Sequence, residues 1–250
     1  MAYYYYACNG FCHTPRADDP RYGIVEVVLY NPTPRPAEVR MRVYFEDRPP
    51  VTVAKAVSVK AETNALLVMP DMDPAIFADC GHWGAQYEST TPLLINSICL
   101  DGLENPNPAY RGGVQSVMGT RLNTLWYYAD GVFLDWVAYY NGDMSKAPFP
   151  FNELEHYYFL NPNPSPAHIR MTLQYRNLEH VTLNFTVPAE RLLKWDTFEK
   201  LPPCEPFGVR IESDQPIATS YVRYIYGLKG QDEWGMHVHF ALAGTPGPIE

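Results

Sequence analysis

Along most of this chain apolar and polar residues alternate with a period of two. Met41, Val43 and Phe45 alternate with Arg40, Arg42 and Tyr44, and Ile169, Met171, Leu173 and Tyr175 alternate with Arg170, Thr172 and Gln174. Val181, Leu183, Phe185 and Val187 form a third such run, and Met236, Val238 and Phe240 a last one, with His237 and His239 on its opposite face. Successive side chains of a strand point to opposite sides, so this period predicts half-buried strands. Helical periodicity is confined to short stretches. Asn-Pro-x-Pro-x-Pro, which follows Tyr30 and again Leu160, cannot donate a continuous backbone ladder and reads as a turn between two strands. Strands punctuated in this way predict an all-β chain built as an antiparallel sandwich or barrel.

The pattern also repeats. The segment Asn31 to Met41 returns 130 positions later as Asn161 to Met171 with seven identical residues. Val59, Ala61 and Glu62 recur as Val187, Ala189 and Glu190; Cys80 recurs as Cys204, Trp83-Gly84 as Phe207-Gly208, and Glu88-Ser89 as Glu212-Ser213. Tyr6-Ala7 and Tyr128-Ala129 are taken to open the two copies. Residues 141–148 supply extra length in copy two and read as a loop, the place where insertions are tolerated. The expectation is two tandem antiparallel β-sandwich domains related by internal duplication, residues 1–120 and 121–250, packed as a pseudo-twofold pair.

Composition narrows the functional classes. Apolar residues make up 46% of the 250 positions, ample for a packed core, and 24 Pro with 19 Tyr suit strands and turns. A formal charge of −9 works against nucleic acid, whose binding rests on Lys and Arg neutralising phosphates. No run approaches the roughly 20 apolar residues of a membrane helix, and Met1 to Gly10 has no signal-peptide character, so a cytoplasmic protein without membrane insertion is expected. Five scattered cysteines (Cys8, Cys12, Cys80, Cys99, Cys204) are an odd set and are expected to be reduced. The sequon at Asn184 lies within a predicted strand and is discounted.

The ordered motifs resemble those of the sensory rhodopsin transducer family. Trp126-Tyr127-Tyr128-Ala129-Asp130-Gly131 is similar to that family's opening Trp-x-x-Ala-Glu-Gly strand. It is followed by a strand ending at Asn161, an amphipathic strand from Ile169 to Tyr175, Val187-Pro188-Ala189, and a strand from Gln215 to Arg223. Copy one keeps the order but departs at the acidic residue, where Cys8-Asn9 stands, and at the arginine, where Cys99 stands. The resemblance implies a β-sandwich that binds a small molecule, a sugar or sugar-derived metabolite, as a sensor or regulator without chemistry of its own.

Trp126, Asp130, Arg223, Trp234, His237 and His239 are accordingly the expected ligand-binding residues, with His237 or His239 lining the same mouth as the Asp130–Arg223 pair. A carboxylate and a guanidinium beside an aromatic face can grip vicinal hydroxyls. His237-x-His239 has metal-like spacing, yet no suitable further ligand follows it, and neither a metal nor a cofactor is expected. No Gly-x-Ser-x-Gly elbow, His-Glu-x-x-His or phosphate loop occurs, so catalysis is not expected. Cys80 and Cys204 read as packing, and Arg40 and Arg170 as members of cross-strand ion pairs. Self-association into a homo-oligomer is expected. The competing readings are a structural assembly subunit and a metal-dependent β-sandwich enzyme using His237 and His239.

Overall fold

The computed structural model describes residues 2–14, 21–103, 113–146, 151–196, 201–227, 238–243 and 245–246. The chain is all-β, with short helices at Met69–Met72, Pro74–Phe77 and Trp136–Tyr139. Residues up to 118 supply β1 (Tyr3–Cys12), β2 (Arg21–Asn31), β3 (Ala37–Phe45), β4 (Val51–Thr52), β5 (Val57–Val59), β6 (Thr63–Val68), β7 (Gly81–Ser89), β8 (Leu94–Leu103) and β9 (Gly113–Met118). The remainder supplies β10 (Asn123–Gly131), β11 (Phe151–Asn161), β12 (Ala167–Tyr175), β13 (Val181–Val187), β14 (Arg191–Trp195), β15 (Phe207–Gly227), β16 (Val238–Ala243) and β17 (Thr245–Pro246). Among the described residues no helix is long and apolar enough to cross a membrane.

In the first half, β6-β2-β8-β9 form one sheet, and β1-β7-β3 form the facing one, with β4 and β5 on β3. The second half pairs its strands in the same order. β14, β11, the end of β15 and β16 make one layer, while β13, β12, the start of β15 and β10 make the other. β15 does by one long strand what β7 and β8 do by two, and it passes from one layer to the other near Pro216. Every described pairing is antiparallel, as short turns between successive strands require.

The alternation sorts the side chains. Val39, Met41, Val43 and Phe45 of β3 and Trp83, Ala85 and Tyr87 of β7 point inward against Val25, Val27 and Leu29 of β2. Ile169, Met171 and Leu173 of β12 pack against Tyr157 and Phe159 of β11. A third cluster joins the halves: Tyr6, Cys8 and Tyr44 meet Tyr158, Leu160, Leu192, Ala218 and Val222. These are outward-facing positions of the β1-β7-β3 sheet and of the β14-β11-β15-β16 sheet. The molecule is therefore two sandwiches, layer 1 (β6-β2-β8-β9) with layer 2 (β1-β7-β3) and layer 3 (β14-β11-β15-β16) with layer 4 (β13-β12-β15-β10), in which layer 2 packs on layer 3 and the edge strand β9 of layer 1 lies against β16 of layer 3.

This stacking corrects the expected pseudo-twofold relation. A twofold contact uses the same patch of both halves, whereas Gly84 of layer 2 meets Leu160 and Leu192 of layer 3 and its counterpart Gly208 meets neither Tyr30 nor any other described residue of the first half, although the counterpart strands β9 and β16 do lie against each other. The physical reason lies at Gly84. It has no side chain, so Leu160 Cδ2 and Leu192 Cδ1 come within 3.2 and 3.3 Å of the point where a Cβ would stand. Cys8 Sγ donates to Ser220 Oγ at 3.3 Å within the contact, and Arg42 Nη2 reaches Glu190 Oε1 at 2.7 Å on its rim.

Candidate functional site

β11 and β15 place Glu155 directly opposite Arg223 in the register. Glu155 lies on the inward face that carries Tyr157 and Phe159, and it is fully buried; Arg223 is 7% exposed. Glu155 Oε1 accepts from Arg223 Nε at 3.0 Å and from Arg223 Nη2 at 2.8 Å, and also from the Val132 backbone N–H at 3.0 Å. The Tyr157 hydroxyl donates to Glu155 Oε2 at 2.9 Å. Burial pushes the Glu155 carboxyl up to about 7, against the opposing pull of the Arg223 charge and of these hydrogen bonds. Burial and the neighbouring Glu155 hold the Tyr157 hydroxyl well above its ordinary value.

Behind this pair sits an aromatic floor. Tyr157 and Tyr221 stack at 5.6 Å, and Tyr128 stands edge-on to both. The Tyr128 hydroxyl donates to Thr219 Oγ1 at 2.8 Å, which satisfies a polar tip deep in the core. The arrangement combines a buried carboxyl, raised by that burial, with a planar cationic donor.

The sequence-predicted residues fall as follows. Arg223 is part of the pair. Trp126 fills the core, fully buried, and its indole N–H donates to Asn123 O at 3.1 Å, so its ring offers no face to solvent. Asp130 lies in β10 beside Gly131, and the main chain of His239 in β16 lies opposite Tyr224, the neighbour of Arg223. The side chains of Asp130 and His239 are outside the described residues, as are Trp234 and His237 altogether. Glu155 was missed. Its signal was present, because a carboxylate shares the period-two face of Tyr157 and Phe159, and Val25 stands 130 positions earlier.

Strand register also corrects the alignment of the opening strands. Gly10 pairs with Trp83 and Gly131 with Phe207, and Tyr6 pairs with Gln86 as Tyr127 does with Arg210. Tyr6 therefore corresponds to Tyr127 rather than Tyr128, Tyr5 corresponds to Trp126, and Asn9 to Asp130. At the places of Glu155 and Arg223 the first half has Val25 and Cys99, both fully buried. Asn9 is 2% exposed, and neither of its side-chain polar atoms has a hydrogen-bond partner among the described residues. The first half thus has Asn9, a polar but uncharged group, at the place of Asp130.

Other constellations find ordinary roles. Arg170 Nη1 lies 3.6 Å from Glu212 Oε2, its cross-strand neighbour. Arg40 lies opposite Glu88 and lines a cleft with Glu38 and Ser89. Cys12 Sγ accepts from the Trp83 indole at 3.4 Å, and the neighbouring Cys80 thiol together with this bond pulls the Cys12 thiol below its ordinary value. His82 Nδ1 lies 3.3 Å from the Tyr158 hydroxyl across the contact between halves. Asp73 caps a short helix by accepting from Ala75 N at 3.1 Å.

No family model and no curated protein matches the chain. Among solved structures it is similar to Thermotoga maritima 1070, at 17% identity over 50% of this chain and 95% of that one, with a TM-score of 0.40. It is also similar to the Anabaena sensory rhodopsin transducer, at 26% identity over 40% of this chain and 85% of that one, with a TM-score of 0.32. Likenesses of this size assign neither family membership nor activity.

Proposed function

We propose that this is a non-catalytic binding protein for a small polyhydroxylated metabolite, a sugar or sugar-derived compound, and that it acts as a cytoplasmic sensor or regulator of the sensory rhodopsin transducer type. The second half is the binding half. The observation that carries this reading is the Glu155–Arg223 pair, set into an interior that the first half fills with Val25 and Cys99. Burying two charges costs several kcal/mol per ion, and apolar replacements are often at least as stable. A sandwich that can be completed with Val and Cys gains little stability from the pair, which points to use of its acceptor and donor by a ligand. The assembly reading stands second, favoured by the exposed Leu66 and Leu94.

Thermal unfolding against a panel of neutral sugars, sugar acids and sugar phosphates tests the proposal, because a ligand that binds only the folded chain raises the melting temperature. One class is expected to raise it in the natural protein and to lose that effect in Glu155→Gln and Arg223→Lys. If no member of the panel shifts the natural protein, the binding reading falls.

A further inference from the structure

The end of β1 and the start of β7 bring two thiols together. In the ladder between these strands Phe11 lies opposite His82 and Cys12 opposite Gly81. A continued ladder would set His13 against Cys80. The chain slips by one residue instead, at Gly81, whose φ of +66° is one that other residues rarely adopt. Beyond the slip, His13 Nδ1 lies 2.8 Å from Asp79 Oδ1, and the Thr14 hydroxyl donates to Ala78 O at 2.6 Å. Cys80 is thereby left beside Cys12, and it packs against the core cluster to which Cys12 belongs. Adjacent strands run about 5 Å apart, within the roughly 4.4–6.8 Å between Cα atoms that a disulfide spans.

The two thiols differ in access. Cys12 is fully buried and Cys80 half-buried. The Trp83 indole N–H donates to Cys12 Sγ at 3.4 Å, a bond that favours the thiolate. With the Cys80 thiol beside it, Cys12 is held below its ordinary value, whereas Cys80 is pushed well above its own by Cys12 and by burial. The pair thus releases its first proton readily and holds the second. The duplication offers a comparison within the same chain. Cys204 stands at the place of Cys80, but Phe133 stands at the place of Cys12, so the second half has the outer thiol without the inner one.

We propose that Cys12 and Cys80 are a reversible redox site that reduces a low-molecular-weight disulfide and is itself oxidised to an intrachain disulfide. The half-buried Cys80 sulfur attacks one sulfur of the small disulfide, whose S–S bond breaks, and one small thiolate leaves. Cys12 Sγ then attacks Cys80 Sγ, the mixed S–S bond breaks, and the second small thiolate leaves. The two protons of the protein thiols end on the two released small thiols, and two electrons pass from the protein to the reagent. An excess of the small thiol runs both steps backwards. This site is independent of the Glu155–Arg223 pair, which lies in the other half.

Peptide mass spectrometry of the folded full-length chain, after incubation with oxidised glutathione, acid quenching and alkylation under denaturing conditions, tests the proposal. The Cys12 and Cys80 peptides are expected to be joined, at least about tenfold in excess over any other cysteine pair, because neighbouring thiols meet at a high effective concentration. Reduced glutathione should part them again. Cys204 is expected to carry a glutathione adduct, and Cys80 should keep one in Cys12→Ser, where no second sulfur displaces it. The natural chain decides the matter without any substitution. A lasting glutathione adduct on its Cys80, a bridge from Cys80 to another cysteine, or recovery of Cys12 and Cys80 both alkylated overturns the proposal. So does a Cys12–Cys80 bridge that forms in equal yield in urea, since the fold would then contribute nothing to it.

Discussion

Asn161 makes, bond for bond, the contacts that Asn31 makes 130 positions earlier. The side-chain N–H groups of Asn31 donate to Arg35 O, Val59 O and Lys60 O at 2.7, 3.2 and 3.1 Å. Those of Asn161 donate to Ser165 O, Val187 O and Pro188 O at 2.8, 3.2 and 3.1 Å. Each side-chain oxygen accepts from the backbone and side chain of the residue two places on, Thr33 or Asn163. Both amides are fully buried and tie a proline-rich turn to the strand across from it. Prolines supply no N–H, so a side chain has to bond the carbonyls that the turn leaves over.

Asn31→Ala and Asn161→Ala are each expected to cost roughly 2–3 kcal/mol, the penalty for buried carbonyls that lose their donors. Asn→Asp at either place turns a carboxylate oxygen toward three carbonyls and should cost more. Urea unfolding measures both, and a near-neutral Asn161→Ala would show that the turn holds itself.

Glu155 gives the stability a pH dependence of definite sign. Its carboxyl titrates near 4.5 when unfolded and at about 7 when folded. Between those values the folded chain keeps a proton that the unfolded chain has released, so this contribution is fully present below pH 4.5 and is lost as the pH rises through 7. The loss is on the order of 3 kcal/mol. The urea midpoint of the natural protein, compared with that of Glu155→Gln, should fall between pH 5 and pH 7.5. A constant difference between the two across that range contradicts the prediction.

Gly10 and Gly131 are packed against aromatic rings. A Cβ would stand 2.3 Å from the Trp83 ring at Gly10 and 2.4 Å from the Phe207 ring at Gly131. Gly10→Ala and Gly131→Ala are each expected to destabilise by about 1–3 kcal/mol through overpacking. Gly208→Ala, whose Cβ would make only an ordinary contact with Tyr128 O at 3.7 Å, should leave the fold within about 0.5 kcal/mol of the natural chain. Thermal unfolding of the three variants side by side separates these effects.

Cys8 reports on whether the halves stay together. It is buried in the contact between layers 2 and 3, and burial pushes its thiol up to about 12, so it is protonated at pH 8. Iodoacetamide should leave Cys8 unmodified in the folded chain and alkylate it once urea unfolds the protein, as read by peptide mass spectrometry. Modification in native buffer at the pace of the half-buried Cys204 would mean that the halves part readily.

The all-β class was legible in the sequence because period-two alternation is a local property, and a strand with one buried face must show it. Strand identity, the proline turns and the return of Asn31 as Asn161 follow from that pattern and from the repeat. The register of the opening strands was not legible. Tyr-rich runs at Tyr3–Tyr6 and Tyr127–Tyr128 look alike one residue apart, and only the pairing of Gly10 with Trp83 and of Gly131 with Phe207 fixes which tyrosine faces in. Glu155 sat in plain view as a charge on an apolar face, but its partner lies 68 positions away, and a register between distant strands had to bring Arg223 to it. Sequence alone determined which faces of each strand are apolar. Which outward face is then covered was decided by tertiary structure, because the fit of Leu160 and Leu192 over Gly84 depends on side chains that approach only once both sandwiches have formed.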